Sequence, residues 1–276
     1  MTTLAPPTEL AEPVAPSTRP PRARIHPGRG LSWLRRWVSP VLILLSWQTL
    51  SSAGVLTEDV LASPLQILAT GAQLLADGTL QSATATSISR VLSGFAIGAT
   101  AGLVLALVAG LSRIGEDAVD PPMQMLRTLP HFGLIPLFIV WMGIGEMPKI
   151  ALIALGVAFP LYLNTFAGIR SVDRKFVEAA RTLNLTRRQR LRHVIIPGAL
   201  PQALVGLRQS LGVAWLSLIV AETVSADAGL GYLINDAREF LKTDVIVVGL
   251  AVYSLLGLLT DSLVRTIERK ALAWRS

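Results

Sequence analysis

The ionisable residues that lie inside long apolar stretches of the sequence include Arg127, His131, Arg208 and Glu222. A charged group in hydrocarbon costs about 2.5–3.5 kcal/mol on insertion scales and usually faces a cavity or a partner. Arg127 and His131 are one helical turn apart and should share a face. Ionisable groups at such positions often mark a substrate pathway, so we take these four residues as candidates for one. Snorkelling or a structural ion pair is the alternative for the arginines, and Glu222 is a candidate for a gate or an interhelical bond.

The sequence lacks the residue patterns of covalent and metal catalysis. It contains three histidines and no cysteine, and the patterns H-E-x-x-H, G-x-S-x-G and G-x-x-x-x-G-K-[ST] are missing. We therefore predict no catalytic residue, no metal and no cofactor, and a membrane-embedded enzyme is a weak alternative. Energy from ATP would have to come from another subunit.

Composition indicates a membrane protein. Hydrophobic residues make up 51% of the chain and charged residues only 16%, with a mean hydropathy of +0.54, whereas soluble domains carry about 25% charged residues. The net charge is +7, but the basic residues flank apolar segments, where they orient the chain and contact lipid headgroups. We therefore predict contact with membrane lipid and not with nucleic acid.

Six stretches are long and apolar enough to span a bilayer, which needs about 20 residues. They are residues 38–56, 86–111, 122–142, 148–168, 200–222 and 244–264. We predict an all-α polytopic bundle of about six spans in residues 31–276. Residues 1–30, rich in Pro and Arg, should form a disordered cytoplasmic tail. A cleaved signal peptide is disfavoured because the first apolar run lies far from the N-terminus and is long enough to span.

The basic residues predict the orientation of these spans. Lys and Arg concentrate before the first span, between spans four and five, and after the last span. Because cytoplasmic loops are enriched in these residues, both termini should be cytoplasmic, in a bacterial inner membrane.

Small residues and prolines mark the second, third and fourth spans. The small residues recur every four positions, at Gly94, Gly98, Gly102, Ala106 and Gly110. Such a face lets helices approach closely, and packing within one subunit is favoured over a dimer contact. Pro130, Pro136 and Pro160 should kink or locally open their helices.

The basic connection at residues 171–197, called the hairpin below, has the signals of two short helices. Asp173 can cap the first, and Asn184 follows it as a residue that tolerates left-handed geometry. Thr186 and Gln189 have the spacing of a capping box that opens the second helix. Pro197, with Pro201 beyond it, should end that helix and lead into span five.

The hairpin resembles the EAA signature of ATP-binding-cassette (ABC) importer permeases. The matching positions are Glu178, Ala179, Ala180, Asn184, Val194, Ile196 and Pro197. The spacing matches in full, with Asn184 at the signature's glycine and two aliphatic exchanges. The resemblance implies a type I ABC importer permease fold. It also implies that Glu178, Ala179, Ala180, Asn184 and Pro197 couple the spans to a cytoplasmic ATPase subunit.

Other segments narrow the resemblance to the aliphatic sulfonate permeases, within the sulfonate, taurine and nitrate branch. They include Met123–Arg127, Gly143–Glu146, Val220–Thr223 and Gly229–Leu233. The resemblance implies a permease homodimer with two ATP-binding subunits and an extracytoplasmic binding protein. Taurine or nitrate import is the main alternative, related permeases also suggest riboflavin or pyrimidine precursors, and a secondary transporter or channel would leave the capped hairpin unexplained.

Overall fold

A computed structural model describes the backbone of residues 29–275 and the side chains of residues 38–274. The predicted tail, residues 1–30, lies almost wholly outside the described residues. The chain divides into two compact units, Met1–Ser46 and Trp47–Ser276. Apart from the first part of the N-terminal helix, the features discussed below belong to the second unit.

The described chain is helical, with short turns and no strand between residues 29 and 275. The α-helices are α1 (Arg29–Ser52), α2 (Pro64–Ala76), α3 (Thr79–Leu111), α4 (Arg113–Thr128), α5 (Ile135–Met142), α6 (Glu146–Arg170), α7 (Arg174–Thr182), α8 (Arg187–Arg190), α9 (Ile196–Ser225), α10 (Leu230–Glu239) and α11 (Thr243–Ala271). Two 3-10 turns cover His131–Leu134 and Ala273–Arg275, and a π-helical turn covers Leu191–Ile195.

In the described part of the chain, four helices are long and apolar enough to cross a membrane: α3, α6, α11 and the continuous helix Arg187–Ser225. The pair Arg113–Thr128 and His131–Met142 qualifies together as a fifth crossing, bent by 89°. The apolar part of α1, Val38–Ser52, is a shorter segment. These segments fall on the six predicted stretches. The all-α polytopic bundle is therefore confirmed, and about six crossings are compatible with it.

The small face of α3 packs against α6 within the chain. A Cβ added at Gly102 would lie 2.6 Å from the carbonyl oxygen of Ala158, and one at Gly94 would lie 2.6 Å from Ile153. Only glycine allows this approach of the two backbones. Packing within one subunit was the favoured interpretation, and it is confirmed.

The third predicted span is broken at Pro130. Helix α4 ends at Thr128, and Leu129 is extended, with φ −75° and ψ 137°, because a proline ring disfavours helical geometry in the residue before it. The expectation that Arg127 and His131 share a helical face is therefore wrong, since the break separates them. Helix α6, in contrast, continues through Pro160 as one helix.

The main core lies toward the end of the bundle opposite the hairpin. Helices α3, α6, α9, α10 and α11 contribute to it through Val91, Ile153, Leu218, Leu230 and Tyr253. Because α6 leads into the hairpin and α9 leaves it, the start of α6 and the end of α9 lie at this opposite end.

Candidate functional site

The connection between α6 and α9 forms two short capped helices, as predicted. The Asp173 carboxylate accepts a hydrogen bond from the backbone N–H of Lys175, at 2.9 Å. The Thr186 hydroxyl accepts from the N–H of Gln189, and the Gln189 side chain accepts from the N–H of Thr186. Each cap satisfies backbone donors that a helix start leaves unpaired.

The turn between the two helices depends on Asn184, which has the predicted left-handed geometry with φ 56°. Its N–H donates to the carbonyl of Arg181, and the N–H of Leu185 donates to the carbonyl of Ala180. This pair of bonds is a Schellman motif, which closes a helix at a left-handed residue. The hairpin therefore has a defined turn.

Pro197 does not end the second helix, contrary to the prediction. Helix α8 passes through the π-helical turn Leu191–Ile195 directly into α9. A proline has no N–H to donate to the helix, and its ring clashes with the carbonyl group four residues before it in regular α-helical geometry. The wider π turn accommodates this defect. As a result, the hairpin is continuous with a membrane-crossing helix.

The hairpin leaves apolar and acidic groups exposed. Phe176 and Leu183 are 66% and 74% exposed, and together with Trp274 they help to line a groove of about 560 Å³. Glu178 is exposed and has no hydrogen-bond or ion-pair partner in the described part of the chain. Ala180, in contrast, lies on the buried side of α7. The hairpin therefore presents large apolar side chains and a carboxylate on its surface.

At the opposite end of the bundle, Glu222 is fully buried in a set of hydrogen bonds between helices. Its carboxylate accepts from the Ser87 hydroxyl at 2.8 Å, the Tyr253 hydroxyl at 2.8 Å and the Gly231 N–H at 2.7 Å. The Arg90 guanidinium adds a charged bond at 2.6 Å. Of the two roles considered for Glu222, the interhelical bond is therefore present.

Arg90 joins Glu222 to a second carboxylate. Its Nε and Nη2 atoms donate to the two oxygens of Glu146, both at 2.6 Å, and the Lys149 ammonium donates to Glu146 at 3.1 Å. Arg90 and Lys149 are 2% and 1% exposed. We call Arg90, Glu146, Lys149 and Glu222 the ion cluster.

The structure does not bring the four predicted pathway residues together. Arg208 on α9 forms ion pairs with Asp261 and Glu268 on α11. The His131 ring lies 3.4 Å from the Ser217 hydroxyl. Arg127 is exposed, with no ion pair among the described residues. Glu222 belongs to the ion cluster, and no group of three His, Asp or Glu side chains that could hold a metal occurs in the described part.

Sequence reasoning missed Arg90 and Lys149. Arg90 lies inside the second predicted span, so the rule that selected Arg127 also applied to it. Lys149 follows Glu146 by three residues, the spacing of an ion pair on a helix. The position of a basic residue inside a predicted span was therefore the signal that could have identified both residues.

The family of the chain follows from comparison with known proteins. Residues 98–272 match the family described as binding-protein-dependent transport system inner membrane component. This range includes the whole hairpin and most of the bundle. The chain belongs to this family.

Relatives of this permease include two from Escherichia coli (strain K12). The aliphatic sulfonates transport permease protein SsuC is 50% identical over 88% of this chain and 93% of its own length. The taurine transport system permease protein TauC is 34% identical over 91% of this chain and 96% of its own length. The chain is accordingly the permease component of an ABC importer, which requires ATPase and substrate-binding partners.

A solved structure supports the fold of the permease. A chain in the crystal structure of an amino acid ABC transporter with histidines matches 72% of this chain and 97% of its own length. The TM-score is 0.60 and the sequence identity is 20%. The architecture is therefore that of an ABC transporter permease, integral to the membrane.

Proposed function

We propose that this permease imports aliphatic sulfonates. The observation that carries the proposal is the difference between two E. coli relatives, at 50% identity for the sulfonate protein and 34% for the taurine protein. Taurine is itself a sulfonate, and nitrate is a smaller anion, so both remain alternatives within one architecture. The test is uptake of labelled pentanesulfonate by the assembled transporter, with taurine and nitrate as competitors. Failure to take up labelled pentanesulfonate, together with uptake of labelled taurine or nitrate by the same transporter, would reject the proposal.

We further propose the assembly that the resemblance implies: two copies of this permease, two cytoplasmic ATP-binding subunits and one extracytoplasmic binding protein. The permease itself would be non-catalytic. The exposed Phe176, Leu183 and Glu178 support a role for the hairpin in docking the ATPase. Mass measurement of the purified complex tests the stoichiometry, and ATP hydrolysis by the permease alone would contradict the division of labour.

The proposed orientation places both termini and the basic hairpin in the cytoplasm of a bacterium. The basic residues of Arg187–Arg192 support it, since such residues favour the cytoplasmic side. Because the chain has no cysteine, single cysteines can be introduced at Asp77 and Arg188 and labelled in intact cells. Labelling of both positions from the same side would contradict the topology.

Arg127 and Arg208 remain our proposed anion contacts in the half of the membrane near the hairpin. The exposure of Arg127 supports this role, whereas the ion pairs of Arg208 give that residue a structural function as well. Substitution of each by Gln in the assembled transporter should lower uptake while assembly and ATPase activity persist. Unchanged uptake in both variants would remove them from the pathway.

A further inference from the structure

The two carboxylates of the ion cluster are held differently. Glu222 is fully buried and has four protein donors, so its position is fixed. The side chain of Glu146 is 50% exposed, and its partners among the described residues are Arg90 and Lys149. One carboxylate is therefore part of the core, and the other occupies an accessible position in front of two buried cations.

The Lys149 ammonium has more hydrogen-bond donors than partners. It is 1% exposed, and Glu146 is its one hydrogen-bond partner in the described part of the chain. An ammonium group has three donors, and a buried cation needs close partners to offset its desolvation. A buried ammonium group that has unused donors and lies beside an accessible carboxylate is suited to bind an anion.

The backbone before Glu146 is suited to movement. Gly143 and Gly145 have φ values of 80° and 153°, which side-chain-bearing residues rarely adopt, and the space beside both is open. Glycine visits such conformations and their alternatives at little cost. The Glu146 side chain can therefore leave Arg90 through changes in a short link.

We propose that Arg90 and Lys149 form a binding site for a sulfonate group, and that Glu146 holds this site until an incoming sulfonate replaces it. This inference rests on the proposed import of sulfonates. With Glu146 displaced, Arg90 and Lys149 carry two positive charges and Glu222 one negative charge. The remaining charge of +1 matches a monoanion.

The donor geometry also matches the ligand. Nε and Nη2 of Arg90 form a planar fork that binds two oxygens of one anion side by side. A sulfonate offers two oxygens to this fork and a third to Lys149. Sulfonates stay ionised throughout the physiological pH range, so exchange with Glu146 requires no proton transfer.

The test compares binding of pentanesulfonate to the purified full chain and to E146Q. Because Gln keeps the shape but removes the competing charge, E146Q should bind about tenfold more tightly or better, which corresponds to about 1.4 kcal/mol. The double variant E146Q/K149M should lose this gain. The control is E116Q, which removes a carboxylate paired with Arg170 at the hairpin end and should bind as the wild type does. Arg90 is left intact because its loss would strand Glu222.

Several results would overturn the proposal. They are an unchanged affinity in both E146Q and E146A, or a gain that persists in the double variant. Equal gain for pentanoate would reject the assignment to sulfonates. Uptake by the wild-type transporter separates this inference from the proposed function. If pentanesulfonate is imported but E146Q binds it no better, the site is wrong and the function stands; if E146Q binds it tightly without wild-type uptake, the function is wrong and the site stands.

Discussion

The two ends of the bundle treat their polar groups in opposite ways. In the ion cluster, Glu222 and Arg90 are buried and every one of their charges is paired within the chain. At the hairpin, Glu178 is exposed with no partner in the described residues, and the large apolar side chains of Phe176 and Leu183 face outward.

Physical chemistry connects each arrangement to a different task. A buried charge must be paired inside the chain, because an unpaired one would destabilise the fold. An exposed apolar pair beside an unpaired acid contributes little to the fold and becomes useful only when a partner covers it. Substitutions at Arg90 or Glu222 should therefore change the stability of the chain, and those at the hairpin should change association.

The largest expected effect is that of Arg90→Met. Removing one member of a buried ion pair typically costs about 3–5 kcal/mol, because the remaining charge stays buried. We expect a much lower unfolding temperature in detergent and reduced yield. The control is Arg265→Met, which breaks an exposed pair with Asp261 on the same helix, worth about 0.3–0.5 kcal/mol. Equal unfolding temperatures for the two variants would contradict the assigned difference.

A charge reversal at the hairpin should have the opposite pattern. In Glu178→Lys, association with the ATPase subunit should weaken by about a hundredfold or more, since like charges across an interface cost several kcal/mol. The unfolding temperature of the isolated permease should not change. Co-purification and melting measure the two effects, and Asp59→Lys, an exposed reversal at the other end, is the matched control. Retained co-purification would leave Glu178 without a docking role.

The difference between the two ends also explains what could be predicted from the sequence. The hairpin depends on neighbours a few residues apart, such as the cap at Asp173 and the turn at Asn184, so local rules predicted it. The ion cluster joins residues far apart in sequence: Ser87 and Glu222 are separated by 135 positions. No local pattern reveals such a pairing.

Two prolines show the limit of local rules. Pro130 was expected to kink or locally open its helix, and it does so as a complete break with a bend of 89°. Pro197 was expected to end a helix, but the chain continues through it by way of a π-helical turn. In both cases the type of residue indicated a defect, whereas the packing of the surrounding helices decided its form.

A smaller effect is expected for Phe176→Ala. The side chain is 66% exposed, so its loss should leave the unfolding temperature of the permease nearly unchanged. If the ATPase covers it, association should weaken by about tenfold, in the range of a buried interface aromatic. Titration of the ATPase subunit against the reconstituted permease measures this. A stability loss without a change in affinity would assign Phe176 to the fold instead.

The smallest effect is expected for Asn184→Gly, which tests whether the hairpin needs the Asn184 side chain or only its backbone geometry. Glycine adopts a φ of 56° without strain, which stabilises the folded turn. It also gives the unfolded chain more conformational entropy, which lowers the stability of the fold by about 0.4–1 kcal/mol. These terms oppose each other, so melting and transport should both stay close to wild type. Asn184→Val is the matched variant, because a β-branched residue in left-handed geometry costs about 1–2 kcal/mol. If Asn184→Gly abolishes transport while melting stays close to wild type, the side-chain amide itself is required. If Asn184→Val transports normally, the left-handed turn geometry is not what the coupling requires.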